Sequence, residues 1–450
     1  MLFRSYICLS HDIVAHETTH AVLDGMHRRF NEPSNPDVLA LHEAFADIVA
    51  LMQHFTIPEI LEQEISRTRG NIESQSMLGS LAVQFGQTSG GRGALRDAIG
   101  RVVDGKWQRL TPDPAEIQKR LTPHGRGAIL VAAVFDAFIA IYNSRIADLL
   151  RLSTGGTGVL PGGAIHPDLV RRLAAEAAKS ARHVLDMCIR ALDYLPAVDV
   201  TFFEYLRGII TADFDIVADD AYSYRVAFVE AFRRRGIYPL NLENPTEDTP
   251  RTLSVDTLRW QGLDINRMPP RQRRAIWHQY EAIVERLKAY ANECFYLQDR
   301  QELFDVTRNS RRILHRQLQA AFKAVPAFAR ELGLDPRLGF EVHELRRAMR
   351  VTLDYKYIPQ LVVVLTQSKV VRDEGMPVHT FRGGSTLVID LLVPAVKYRI
   401  VKNIASRDRA ARTAEFVRNA AADPLRALLM APGRREPFAA LHAFAEDVSR

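Results

Sequence analysis

Apolar residues recur through the first half of the chain at the three- and four-residue steps of an amphipathic helix. The first such segment runs through HDIVAHETTHAVLDGMHRRF, with Ser10 placed to cap it. NEPSNPD, dense in turn residues, breaks the period before DVLALHEAFADIVALMQHF resumes it. Asn35 is suited to the N-cap there, with Pro36 at the first helical position. A third helix, from about Arg126 to Leu150, is apolar on nearly every side, which predicts a central position. Ser153 to Pro167 (STGGTGVLPGGAIHP) is a glycine-rich loop, and helices are predicted over about 168–195, 200–212 and 219–235.

The pattern changes from Tyr238 to Pro270, where Pro, Asn, Thr and charge replace the helical period. Two long charged helices follow, over about 271–298 and 300–324. Beyond them IPQLVVVLTQSKVV and STLVIDLLVPAVKYRIVKNI are β-branched runs, with FRGG supplying turn glycines, and helical segments close the chain from about Arg407. The expected fold is mainly α. It has a helical domain over 1–237, a linker over 238–270 and a smaller α+β domain over 271–450. The longest apolar stretch, Ala128 to Tyr142, is interrupted by Asp136 and is too short for a membrane span, so it reads as a buried helix.

Composition sharpens the division. The 450 residues carry a formal net charge of +6, but residues 1–250 hold 25 basic and 31 acidic side chains. The remainder holds 34 basic and 22 acidic, so the two parts have opposite sign. A hydrophobic fraction of 47% excludes wholesale disorder. Three cysteines (Cys8, Cys188, Cys294) without paired spacing argue against a disulfide framework, and no secretory leader is evident, so a cytoplasmic location is expected. The arginines of the basic part (Arg271, Arg273, Arg274; Arg308, Arg311, Arg312; Arg346, Arg347, Arg350) are assigned to amphipathic helices. Acidic residues interleave with them, which favours solvated, salt-bridged helices over nucleic-acid binding.

The chemistry concentrates at His16-Glu17-Thr18-Thr19-His20. Two histidines four residues apart on a helix share one face and reach a single metal ion, and Glu17 beside them is suited to accept a proton from water activated by zinc. Catalytic zinc needs a third protein ligand. Glu43 and Asp47, in HEAFAD on the next helix, are spaced so that one carboxylate binds the ion while the other accepts the N–H of a ligating histidine. The turn at 31–35 brings the two helices back antiparallel with these faces opposed.

The run DIVAHETTHAV…HEAFAD closely resembles the active-site helices of the thermolysin-like and fungalysin-like zinc metallopeptidases, the gluzincins. The resemblance covers about residues 10–235, most strongly 10–55. It implies a gluzincin-type helical catalytic lobe that cleaves a peptide or protein substrate. It also implies His16, His20 and Glu43 as zinc ligands, Glu17 as general base and Asp47 as the partner orienting a ligand histidine. In PHGRGAILVAAVFDAF, His124 stands just before the most apolar helix, where family members place a histidine that donates to the developing oxyanion.

The chain departs from that pattern in places. Only about ten residues precede the first helix, so the β-rich lobe of thermolysin-like enzymes is missing from this sequence: either the sequence is truncated or the cleft forms differently. MHRRFNEPSNPD holds no tyrosine where the family has one, leaving His27, Arg28 or Arg29 as substitutes. His54 stands where a calcium-binding Glu follows in thermolysin, so the calcium site that Asp12 matches is not predicted. The alternative to a working peptidase is a catalytically impaired, zinc- or peptide-binding lobe whose basic C-terminal domain mediates interactions. Asp136 is expected to orient His124 or to bind an arginine, Arg233-Arg234-Arg235 to meet solvent at a helix end, and Cys188 to lie in the core. The 153–167 loop lacks the context of a phosphate cradle and reads as a surface loop.

Overall fold

The structure, a computed structural model, describes residues 11–72, 100–103, 106–217, 219–238, 254–351, 356–372, 377–392 and 395–421. Ser10, Cys8 and most of the 238–254 stretch therefore lie outside the described residues. The principal elements are α1 (His11–Met26), α2 (Pro36–Gln53), α3 (Pro58–Thr68), β1 (Gly100–Val103), β2 (Lys106–Arg109), α4 (Pro123–Ser153) and α5 (Pro167–Ala191). These are followed by α6 (Phe202–Phe214), α7 (Tyr224–Arg234), α8 (Pro270–Phe295), α9 (Arg300–Ala324), β3 (Glu341–Val351), β4 (Tyr357–Val371), β5 (His379–Asp390), β6 (Ala395–Lys402) and α10 (Arg407–Ala421). The protein is mainly helical, with one four-stranded antiparallel sheet near the C-terminus.

The chain divides into two units. The first comprises Met1–Phe30, Pro36–Arg190 and Asp219–Asp256; the second comprises Asn31–Asn35, Ala191–Ala218 and Thr257–Arg450. This differs from a cut at 237, because Ala191–Ala218 belongs with the sheet.

In the first unit α4 is central, as its apolar surface predicts. It starts earlier than expected, at Pro123, where the Thr122 hydroxyl accepts from the Gly125 N–H at 3.2 Å. It packs on α2, buried over almost its whole length, and on α7. Gly127 makes the first approach possible: a Cβ there would lie 2.9 Å from the Ala40 carbonyl oxygen and 3.3 Å from the Ala44 nitrogen. Arg126 pairs with Asp37 at the start of α2. Asp136, in the middle of α4, pairs with buried Arg235 at 2.7 Å, so Arg235 turns inward while Arg233 and Arg234 lie outside beside Glu230. The burial cost of the carboxylate decides this: an uncompensated Asp inside an apolar helix needs a cation. By length and composition, α4 and the stretch Pro36–Thr56 are each able to cross a membrane, so length does not exclude a span. However, 83% and 78% of their apolar windows are buried within the protein, as in core helices. Cys188 is fully buried, as expected.

In the second unit the sheet runs β3-β4-β5-β6, each strand antiparallel to the next. Leu361, Val363 and Leu365 of β4 join the core formed with α8 and α9. Val362 and Val364, pointing the other way, pack with Ala197 and Val198, and Val388, Tyr398 and Ile400 pack with Tyr194, Ala212 and Trp260. Both faces are covered, which is why β4 reads as a continuous apolar run rather than an alternating one. Asp215 accepts from the Tyr194 and Tyr398 hydroxyls, both at 2.6 Å, and from Gln360 at 3.0 Å, and pairs with Lys397 at 2.8 Å.

Two expectations change here. Arg346, Arg347 and Arg350 lie on β3, not on a helix, and Arg346 and Arg350 pair with buried Asp193. Burial would raise the Asp193 pKa, but the two guanidinium charges outweigh it and lower it. FRGG is not a turn but strand β5, where a Cβ on Gly384 would lie 2.1 Å from the Leu365 carbonyl oxygen. Close approach of the neighbouring strand demands the glycine.

Candidate metal centre

The middle of α1, the middle of α2 and the first turn of α4 meet at one point in the first unit. On α1, Thr19, His20 and Leu23 are buried and His16 is partly so, whereas Val14, Glu17, Thr18, Ala21 and Val22 are exposed. The four-residue step thus turns His16 and His20 together toward α2. There Glu43 is fully buried between Ala40, Ala44 and Ala46, residues small enough to let the neighbouring helices come close.

The donor atoms converge. The Nε2 atoms of His16 and His20 are 2.9 Å apart, and each is 3.6 Å from Glu43 Oε2. His16, His20 and Glu43 form the one group of three or more potential ligands drawn together among the described residues. Asp47, one turn beyond Glu43, stands behind His16, its Oδ1 2.9 Å from Nδ1. A carboxylate there holds a proton on Nδ1 and turns Nε2 toward Glu43, so that Nε2 is the atom left to donate to a metal.

These residues fit zinc. Its bonds to histidine nitrogen and carboxylate oxygen are about 2.0–2.2 Å, so ligand atoms in a tetrahedral shell stand roughly 3.4 Å apart. The spacings here bracket that value. Lone pairs and a carboxylate oxygen this close repel unless positive charge lies among them. His16 shows the same demand: burial lowers its pKa, but hydrogen bonds and attraction from Asp47 and Glu43 prevail and raise it to about 10.

His124 lies in the first turn of α4 rather than ahead of it, and its Nε2 is 3.3 Å from Glu43 Oε2. Its side chain is part-exposed, so it lines the cluster from the solvent side. Glu17 is exposed on α1 next to His16. Asp136 is engaged by Arg235 and not by His124. Of the residues weighed as substitutes for the tyrosine, His27 lies flat against Phe30, ring centroids 4.4 Å apart, and Arg28 is exposed.

Two neighbours escape sequence inspection. His42 Nδ1 lies 2.6 Å from His20 Nδ1, and His42 Nε2 lies 3.3 Å from Asp24 Oδ1. Burial lowers the His42 pKa, which keeps the ring neutral. The signal for Asp24 was available: it extends the His16–His20 spacing by one more turn of α1. No family model matches the chain, and no curated protein or solved structure matches it either.

Proposed function

We propose that this protein is a zinc-dependent metallopeptidase of gluzincin type, hydrolysing peptide bonds in a peptide or protein substrate. The observation that carries the proposal is the convergence of His16 Nε2, His20 Nε2 and Glu43 Oε2, with Asp47 bonded behind His16. His16, His20 and Glu43 would hold the ion. Zinc bound there supplies Lewis acidity, lowering the pKa of water and polarising a carbonyl. The exposed Glu17 carboxylate takes the proton of the attacking water and passes it to the leaving amine. His124, with Nε2 turned toward Glu43, donates a hydrogen bond to the negative charge developing on the substrate carbonyl oxygen. Asp47 keeps the His16 proton on Nδ1 throughout.

The test is peptide hydrolysis by zinc-loaded protein, with Glu17→Gln as control. Hydrolysis by the wild type that is lost in a variant still binding zinc is the expected result. Equal hydrolysis by both forms, or zinc binding by the wild type without hydrolysis, overturns it. The absence of a tyrosine from MHRRFNEPSNPD supports a second reading: a lobe that binds zinc or peptide without turnover, its basic second unit serving interactions. Peptide capture by zinc-loaded protein with no cleavage selects that reading.

A further inference from the structure

We propose that His42 and Asp24 form a positioning relay that sets the tautomer of His20, so that Nε2 is its metal-donor atom; the inference rests on the zinc-site reading above. Nothing in the peptidase chemistry requires an imidazole at position 42. Yet the ring is fully buried against a candidate ligand, between that ligand and a carboxylate.

The geometry is that of an N–H···N bond. The planes of the His20 and His42 rings are within 17° of each other, and their centroids are 4.8 Å apart. With the two Nδ1 atoms 2.6 Å apart, the rings meet edge to edge, because two ring radii and that gap already account for the centroid spacing. One proton lies between the two nitrogens. If His42 carries it, neutral His20 must carry its own proton on Nε2, which then points at His16 and Glu43 and has no lone pair for a metal. If His20 carries it on Nδ1, Nε2 is free to donate.

Asp24 decides between the two. Its carboxylate lies at His42 Nε2, 3.3 Å away, and accepts only. The His42 proton therefore sits on Nε2, His42 Nδ1 becomes an acceptor, and His20 donates to it. The two ligand histidines are thus oriented by different means. His16 bonds a carboxylate directly, Asp47 at 2.9 Å, while His20 reaches Asp24 through an intervening imidazole. His20 and Asp24 belong to α1 and His42 to α2, so the relay also ties the two helices at the height of the cluster.

The test compares wild type with Asp24→Ala, His42→Leu and His42→Asn. Zinc affinity is measured by competition with a chromophoric chelator. The tautomer of His20 is read in the metal-free protein from long-range proton–nitrogen NMR of labelled histidine. Asp24→Ala and His42→Leu are expected to bind zinc 10–100-fold more weakly, the usual cost of losing a hydrogen-bond partner behind a metal ligand. In His42→Asn the amide oxygen takes the place of Nδ1 as acceptor, so affinity returns to within a few-fold of wild type. The wild-type spectrum shows His20 protonated on Nδ1, and Asp24→Ala shifts it toward the Nε2 form. Asp24 is 42% exposed at its side chain, so Asp24→Ala leaves the core intact even if His42→Leu fails to fold. Wild-type affinity and an unchanged His20 tautomer in Asp24→Ala overturn the relay alone. Failure of the wild type to bind zinc overturns the metal centre and the relay with it.

Discussion

At the scale of single residues, this protein places charge where burial would otherwise forbid it, and each case has a measurable consequence. Asp47 stands behind His16, and its bond to Nδ1 turns Nε2 toward Glu43. Asp47→Ala is expected to weaken zinc affinity 10–100-fold while leaving the thermal midpoint of metal-free protein nearly unchanged. Chelator competition checks the first and calorimetry the second. Asp199, in the second unit, has a side chain only 11% exposed and sits in a left-handed backbone conformation at φ 57°. It accepts from Ser34 and Asn35, both at 2.7 Å, and pairs with Arg409 at 2.9 Å. Burial raises its pKa, but Lys402, Arg409 and these hydrogen bonds overcome that and hold it near 2, below the ordinary 3.8. A depressed carboxylate stabilises the fold above its unfolded pKa and loses that contribution as pH falls toward the folded value. The contribution is about 2 kcal/mol at neutral pH. Asp199→Asn, which tolerates the same backbone, should therefore be less stable than wild type at pH 7, with the gap closing between about pH 4 and 2. Urea midpoints across that range decide it; a gap that widens on acidification contradicts the assignment.

At the scale of elements, the candidate metal-binding helices α1 and α2 were legible in the sequence, since His16 and His20, and Glu43 and Asp47, are each four residues apart. The approach of α4 was not, because it depends on Gly127, a residue without chemistry of its own. Gly127→Val drives a side chain into the Ala40 carbonyl, 2.9 Å from where even a Cβ would lie. Such overpacking costs about 1–3 kcal/mol. It also displaces the first turn of α4, and His124 with it, from Glu43. Hydrolysis is expected to fall at least tenfold while zinc affinity, held by α1 and α2, stays within a few-fold; parallel loss of both would contradict this division of labour. Asp136 and Arg235 make the corresponding ionic lock between α4 and the residue that follows α7. Asp136→Ala leaves a buried guanidinium without its carboxylate and should cost about 3–5 kcal/mol, read as a lowered unfolding midpoint.

At the scale of the whole molecule, the sequence suggested a helical part and a part containing strands, and the chain has both. The compact units divide elsewhere than at 237 because the helical periodicity in Ala191–Ala218 resembles that of the preceding helices, whereas its burial partners are distant in sequence. Tyr194 and Ala212 pack on Val388, Tyr398 and Ile400, and Asp215 draws four partners, three of them beyond residue 359. A fragment ending at residue 237 strips these groups of their partners. It is expected to melt broadly and without cooperativity, and a sharp transition at the full-length midpoint would show that 191–218 stands without the sheet.

What the sequence determined by itself is local. Residue spacing on one helix sets which side chains share a face, so the shared faces of His16 with His20 and of Glu43 with Asp47 follow from period alone. Tertiary structure decided what depends on residues brought together from far along the chain. Asp136 could serve either a histidine or an arginine until packing placed Arg235 2.7 Å away. Gly383 and Gly384 resembled a turn until packing left no room for a Cβ, the first against Ile404 and the second against the Leu365 carbonyl of the paired strand. His42 was one more polar residue beside Glu43 until the return of α2 alongside α1 set its Nδ1 against His20 and its Nε2 against Asp24. Periodicity ranks the faces of an element, but hydrogen bonds are short and directional, and which atoms come within 3 Å is settled only when the elements pack.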